Sequence, residues 1–183
     1  EEAYVASQSS NHIAVLDVES MEITVTIATG TKPHPGPGAV WETETHGTVA
    51  ATPHIGEGKA TMWTVDGHEI VGNVSSGSPG LFVRTTPKMK YVWFDSVFPT
   101  TPNQVTVFEK EPPFKKVKVL KEGKQTLHPE PDADGDYVFV SDWQGGVIRV
   151  YDEETLEKVK TLTDVQGPTG IFSIYRLEEP EGH

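Results

Sequence analysis

The sequence predicts an all-β chain forming part of a β-propeller, on three observations. Its apolar residues fall in short runs rich in Val, Ile, Thr and aromatics that often alternate with polar residues, the pattern of half-buried strands. No stretch carries a convincing 3.6-residue apolar period, which argues against helices. One run also returns at long range. H-I-A-V-L-D-V-E-S-M-E from His12 reappears as V-I-R-V-Y-D-E-E-T-L-E from Val147; the offset of 135 residues is three periods of about 45, the length of a four-stranded propeller blade.

In chain order the runs predict strands over 3–6, 12–18 and 22–28, then 47–51, 59–65 and 69–74, then 81–85, 90–95, 104–109 and 116–120. The last set is 136–141, 147–152 and 157–162, followed by a lone segment over 170–177. In the long-range repeat Asp17 is matched by Asp152, Glu19 by Glu154 and Met21 by Leu156. T-M-W-T-V-D from Thr61 and Q-V-T-V-F-E from Gln104 fill the intermediate positions degenerately. One small sheet cannot bury both faces, so successive blades must stack around an axis. An acidic residue then marks the strand end where an Asx-type turn begins. The chain supplies three full strand sets plus incomplete sets at both ends, whereas closed propellers have about four to eight blades. The expectation is therefore a partial ring, completed by further sequence or by a partner chain.

With 183 residues the chain has the size of one domain. A formal charge of -12 excludes a nucleic-acid or anionic-membrane partner, for which a basic face is needed. The absence of Cys removes disulfides, thiolate catalysis, zinc-thiolate sites and covalent c-type haem attachment. No run is apolar enough over sufficient length to span a bilayer, and no H-E-x-x-H or other close metal pair occurs.

The densest candidate stretch is T-K-P-H-P-G-P-G-A-V-W over 31–41, read as a loop because Pro and Gly crowd it. His34 has Pro on both sides, so its backbone is confined and its imidazole is aimed by rigid neighbours. That reads equally as a functional ring or as an ordinary inter-strand turn. His54 in A-T-P-H-I-G and His128 in T-L-H-P-E-P invite the same pair of readings, with a turn histidine bonding its neighbouring backbone as the simpler one. His12, His46, His68 and His183 read as surface residues. S-S-G-S-P-G over 75–80 and G-P-T-G-I-F over 167–172 are two more Gly-rich loops, where backbone can approach a flat ligand closely. D-A-D-G-D over 132–136 begins like a calcium loop, yet lacks the remaining ligand spacing and reads more simply as a hairpin turn. Trp41, Trp63, Trp93 and Trp143 are expected to pack between blades. No serine sits in a G-x-S-x-G elbow.

In order and spacing these loops resemble the C-terminal half of the haem d1 domain of cytochrome cd1 nitrite reductases and their relatives in haem d1 biosynthesis. K-x-P-H-P-G-R-G of that family corresponds to T-K-P-H-P-G-P-G over 31–38 here, x-T-S-H-L-G to A-T-P-H-I-G, and G-G-G-S-L-F-I-K-T-H-P to G-S-P-G-L-F-V-R-T-T-P over 77–87. V-x-F-S-x-W is similar to V-F-V-S-D-W from Val138, and T-P-T-G-K-F-N-V-Y to G-P-T-G-I-F-S-I-Y from Gly167. The resemblance covers nearly the whole chain. It implies an eight-bladed propeller with 1–183 as its second half, and haem d1 in the central cavity.

By that likeness His34 is a catalytic distal histidine that hydrogen-bonds nitrite and supplies a proton. Thr169 and Gly170 hold the macrocycle, Phe82 packs by its distal face, and His54 lies behind the pocket. The iron ligand is expected outside this chain. The implied activity is reduction of nitrite to nitric oxide in the periplasm, with a c-type cytochrome as electron donor and the rest of the propeller as structural partner. Two departures bear on it. Pro37 stands where the family has an anion-binding arginine, and His128 where the reductases have a cavity glutamine. The alternatives are a haem d1 biosynthesis protein handling the dihydro precursor, and a propeller scaffold without catalysis.

Overall fold

The structure, a computed structural model, describes residues 1–6, 9–36 and 38–171. Within them the chain forms fifteen strands and no helix: β1 (Glu2–Ala6), β2 (Ile13–Asp17), β3 (Glu22–Ile27), β4 (Ala39–Thr43), β5 (Gly47–Pro53), β6 (Lys59–Thr64), β7 (Ile70–Ser75), β8 (Val83–Arg84), β9 (Tyr91–Ser96), β10 (Gln104–Glu109), β11 (Lys116–Lys121), β12 (Thr126–Pro131), β13 (Tyr137–Asp142), β14 (Val147–Asp152) and β15 (Lys158–Leu162). They make one three-stranded antiparallel sheet, β1-β2-β3, and three four-stranded ones, β4-β5-β6-β7, β8-β9-β10-β11 and β12-β13-β14-β15. Each is a meander in sequence order, as in a propeller blade.

The long-range repeat aligns β2 with β14, the third strand of a complete blade, so the first sheet comprises strands two to four of its blade. The aligned acidic residues do the same work. Asp17 Oδ1 accepts from Ser20 N at 2.7 Å, and Asp152 Oδ1 from Thr155 N at 2.8 Å. Met21 and Leu156, four residues on, adopt matching left-handed φ of 57° and 59°. His68 and Phe114 take up the same conformation after β6 and β10. All four sheets also carry a register shift between their last two strands, at Val15/Leu16, Met62/Trp63, Val107/Phe108 and Val150/Tyr151. Such bulges increase strand twist at one common level.

Side chains from facing sheets interdigitate in three apolar layers. Ile13, Val15, Ile27, Ala50 and Trp63 fill the first. Trp41, Met62, Val83, Phe94, Phe108 and Phe114 dominate the second, and Trp93, Val105, Val107, Val140 and Tyr151 the third. One aromatic pair marks each layer: Tyr4–Trp63 with ring centroids 5.5 Å apart, Trp41–Phe114 at 6.3 Å and Trp93–Tyr151 at 5.9 Å. Three of the four tryptophans thus pack between blades as expected. Trp143 departs from the expectation: it sits in the β13–β14 hairpin and is exposed.

Two strands were not legible in the sequence, and both are innermost. β4 begins inside the stretch read as loop and runs two residues beyond it, and β12 contains Pro129 and Pro131. An innermost strand has a neighbour on one side only, so a missing N–H costs nothing where it faces outward from the pairing. The segment 132–136 is the hairpin turn, with Gly135 at φ 74° and Tyr137 N donating to Asp132 Oδ1 at 3.1 Å. Of the predicted strand over 170–177, only Gly170 and Ile171 lie within the described residues, and neither is in a strand.

Candidate functional site

The three Gly/Pro loops share one topological position. Residues 28–38 lead from β3 into β4, 76–82 from β7 into β8, and 163–171 follow β15. β3 and β7 thus hand over to the first strand of the next sheet, and 163–171 leave the fourth strand of the last sheet at the same end. There the candidate residues form two groups joined by one arginine.

The first group is the loop around His34. Pro33 and His54 pair as an isolated bridge, and His34 N donates to Pro53 O at 2.9 Å and Thr52 Oγ1 at 3.0 Å. The backbone of His34 is thereby pinned to the end of β5, while its ring is half-buried and makes no hydrogen bond or ion pair among the described residues. Burial alone lowers its pKa from the ordinary imidazole value. His54 is completely buried, with Nε2 3.0 Å from Thr61 Oγ1 and Nδ1 3.4 Å from Glu57 Oε1. Burial, reinforced by the charge of Lys59, pushes its pKa down to about 4. A side chain at Gly30, where φ is 138°, would run into the His54 ring. His54 thus locks the loop from beneath.

The second group lies on β8, β9 and β12. His128 sits at the bulge of β12 with φ 57°, inside a strand rather than in the turn the sequence suggested. Its N–H donates to Asp95 Oδ2 at 2.9 Å, and Asp95 Oδ1 accepts from Leu81 N and Phe82 N at 2.7 and 3.0 Å. One buried carboxylate therefore sets both Phe82 and His128. Their rings stack in parallel, 4.0 Å apart and tilted by 3°. Ile171 N approaches His128 Nδ1 at 3.4 Å, and a Cβ on Gly170 would stand 3.0 Å from that nitrogen. Thr169, next in line, is exposed. Complete burial raises the pKa of Asp95 despite its amide donors. At the corresponding end of β13, burial also opposes the charge of Asp142, but amides of Gln125 and Lys124 and the Arg149 guanidinium outweigh it, and its pKa is lowered.

Arg84 joins the groups. Its Nη1 donates to Gly38 O at 3.1 Å, on the His34 loop, while its Nε lies 3.5 Å from Glu130 Oε2. His128 Nε2 stands 3.3 Å from the same oxygen. The guanidinium carbon also lies 5.3 Å from the centre of the Phe82 ring. Asp95, Arg84 and Glu130 went unread in the sequence. The available signal was the H-P-E run, which keeps residues 128 and 130 close in the chain, although the bulge at His128 takes it out of the regular alternation of β12.

The model of the cytochrome D1 heme domain matches residues 2–177. The chain belongs to this family. Within the cytochrome D1 heme domain family it is 29% identical to a nitrite reductase of Stutzerimonas stutzeri, over 93% of this chain and 36% of that protein. It is 26% identical to the dihydro-heme d1 dehydrogenase of Pseudomonas aeruginosa, over 87% of this chain and 32% of that one. A solved structure of dihydro-heme d1 dehydrogenase NirN in complex with DHE superposes with a TM-score of 0.88 at 25% identity, covering 96% of this chain and 38% of the other. The chain thus spans about a third of the length of the curated relatives it matches. Hydrazine synthase of Kuenenia stuttgartiensis shares the fold, with a TM-score of 0.68 at 13% identity. The fold is accordingly a partial β-propeller of the D1 type. Among the described residues no group of three His, Asp or Glu side chains could hold a metal ion, and no helix is long and apolar enough to cross a membrane.

Proposed function

We propose that this chain supplies one side of a cavity that binds a haem d1-type macrocycle for an oxidoreductase. The observation that carries the reading is the flat Phe82–His128 stack with the backbone of Gly170 and Ile171 against its edge. A flat apolar wall fringed by polar donors suits a planar tetrapyrrole, and at Gly170 a side chain would crowd the imidazole. Phe82 would pack on the macrocycle, Thr169 and Gly170 would hold its edge, and His128 would present a polar contact. His54 supports the His34 loop from behind. The ring's iron ligand would come from outside this chain, as would the remaining blades, and a c-type cytochrome would deliver electrons in the periplasm.

The reaction proposed is reduction of nitrite to nitric oxide, for which bound haem d1 supplies the electron while two protons leave with one oxygen as water. His34 binds a nitrite oxygen through its ring and passes it a proton. Burial lowers the pKa of that ring, so its loaded fraction grows as pH falls below the ordinary imidazole value of about 6.5. Turnover limited by this proton should rise toward acid.

A second reading, handling of the dihydro precursor of haem d1, is favoured by Pro37. Without the family's arginine there, that position gives no guanidinium for an anion. Adding haem d1 and dihydro-haem d1 separately to the natural-length protein, and recording visible spectra and nitrite consumption under a reductant, decides between them. Nitrite consumption that falls strongly in His34→Ala while haem d1 binding persists supports the reductase. Spectral conversion of the dihydro form without nitrite turnover supports the second reading. No spectral change with either macrocycle overturns the proposal.

A further inference from the structure

We infer that Glu130 is a positioning residue that fixes His128 as the tautomer protonated at Nε2, leaving the Nδ1 lone pair directed at the Gly170–Ile171 backbone. The inference rests on the reading of His128 as a cavity residue, and goes beyond it in assigning which nitrogen works and what sets it. Two independent contacts lead to the same tautomer. At one end of the ring, Nε2 is buried 3.3 Å from Glu130 Oε2, a charge contact outside hydrogen-bond geometry, and has no hydrogen-bond partner among the described residues. A carboxylate oxygen can only accept, so a proton on Nε2 is attracted and a lone pair there is repelled. At the other end, Ile171 N lies 3.4 Å from Nδ1. An amide can only donate, so Nδ1 must offer its lone pair. The opposite tautomer would set two lone pairs face to face at Nε2 and two N–H groups face to face at Nδ1.

The surroundings hold the ring in place for this. Phe82 covers one face at 4.0 Å. The backbone N–H of His128 is fixed by Asp95 from β9, and Arg84 from β8, always cationic, balances Glu130 through the oxygen that faces the imidazole. Glu130 is fully buried, so its orientation is not left to solvent. A second consequence follows at Nδ1. Any ligand that draws the Thr169–Ile171 backbone away therefore exposes a hydrogen-bond acceptor, and a bound donor group takes the place of the amide. A carboxylate that fixes one imidazole nitrogen and so defines the role of the other is a general device of histidine sites.

The test is the tautomer itself, read from imidazole 15N shifts and their two-bond proton couplings in histidine-labelled natural-length protein without macrocycle, with the His128 signals assigned by their loss in His128→Gln. The native protein should show Nε2 protonated and Nδ1 bare. Glu130→Gln should change this to a mixture, and Glu130→Asp should largely restore it. Should the single variants fold poorly with Arg84 uncompensated, the Arg84→Met/Glu130→Met pair removes both charges at similar volume and should give the same mixture. An Nδ1–H tautomer in the native protein, or an unchanged Nε2–H tautomer in the variants, overturns the inference. A separate haem d1 titration reports on the binding reading, so failure there leaves the tautomer result standing.

Discussion

His54 and His128 have the same side chain, are both buried and are both next to a proline in the sequence, yet they do opposite things. His54 lies where regular β5 ends, and its ring points under the sheet to Thr61 and Glu57. His128 lies on a bulge with positive φ, which turns its ring out of the strand's alternation and onto Phe82. The pair teaches that in this fold backbone conformation, more than residue type or neighbouring motif, decides whether an inner histidine is held beneath the sheet or laid against Phe82. A bulge at the rim of a sheet is a common way to re-aim one side chain.

The contrast can be broken most forcefully at Asp95, which holds the bulge in place. Asp95→Ala leaves three amides, of Leu81, Phe82 and His128, without their acceptor. We expect a loss of about 3 kcal/mol in denaturant unfolding, together with loss of the Phe82–His128 stack. Retention of both would show that the bulge is held by something else.

The next effect sharpens the structural side. The pKa of His54 is about 4 in the folded protein, against about 6.5 unfolded. Because the folded value is depressed, its neutral form stabilises the fold fully above pH 6.5, and that contribution drains away as pH falls from about 6.5 toward 4. The loss amounts to roughly 3 kcal/mol, and His54→Gln should flatten this limb of the stability profile. An unchanged limb would mean that His54 is not the group responsible.

The smallest effect is at Gly170. Gly170→Ala should change stability by less than about 1 kcal/mol, since the site is exposed. Its Cβ would nevertheless press on His128 Nδ1, so haem d1 affinity should fall several-fold. Equal affinity in the variant would detach the 169–171 segment from the site.

The same contrast explains what the sequence made legible. The repeat from His12 to Val147 was readable because it records a local turn: an acidic residue caps the third strand, and a left-handed residue follows four positions later at Met21 and Leu156. Packing at Trp41, Trp63 and Trp93 was readable because large rings on alternating strands have few places to go. The innermost strands β4 and β12 were hidden, since Pro and Gly signal loops everywhere except at an edge whose N–H groups need no partner. With β12 hidden, the bulge that brings His128 to Glu130 was hidden too, and Arg84 and Asp95 meet them only across blades, through contacts that no local pattern records.

The most direct test of the cavity wall is a visible-absorption titration of natural-length protein with haem d1, comparing His128→Ala and His54→Gln with the native chain. The account predicts a dissociation constant raised at least about tenfold for His128→Ala, roughly the cost of one lost polar contact, and within about twofold of native for His54→Gln. Equal affinities for His128→Ala and the native protein, or the larger loss in His54→Gln, would contradict it.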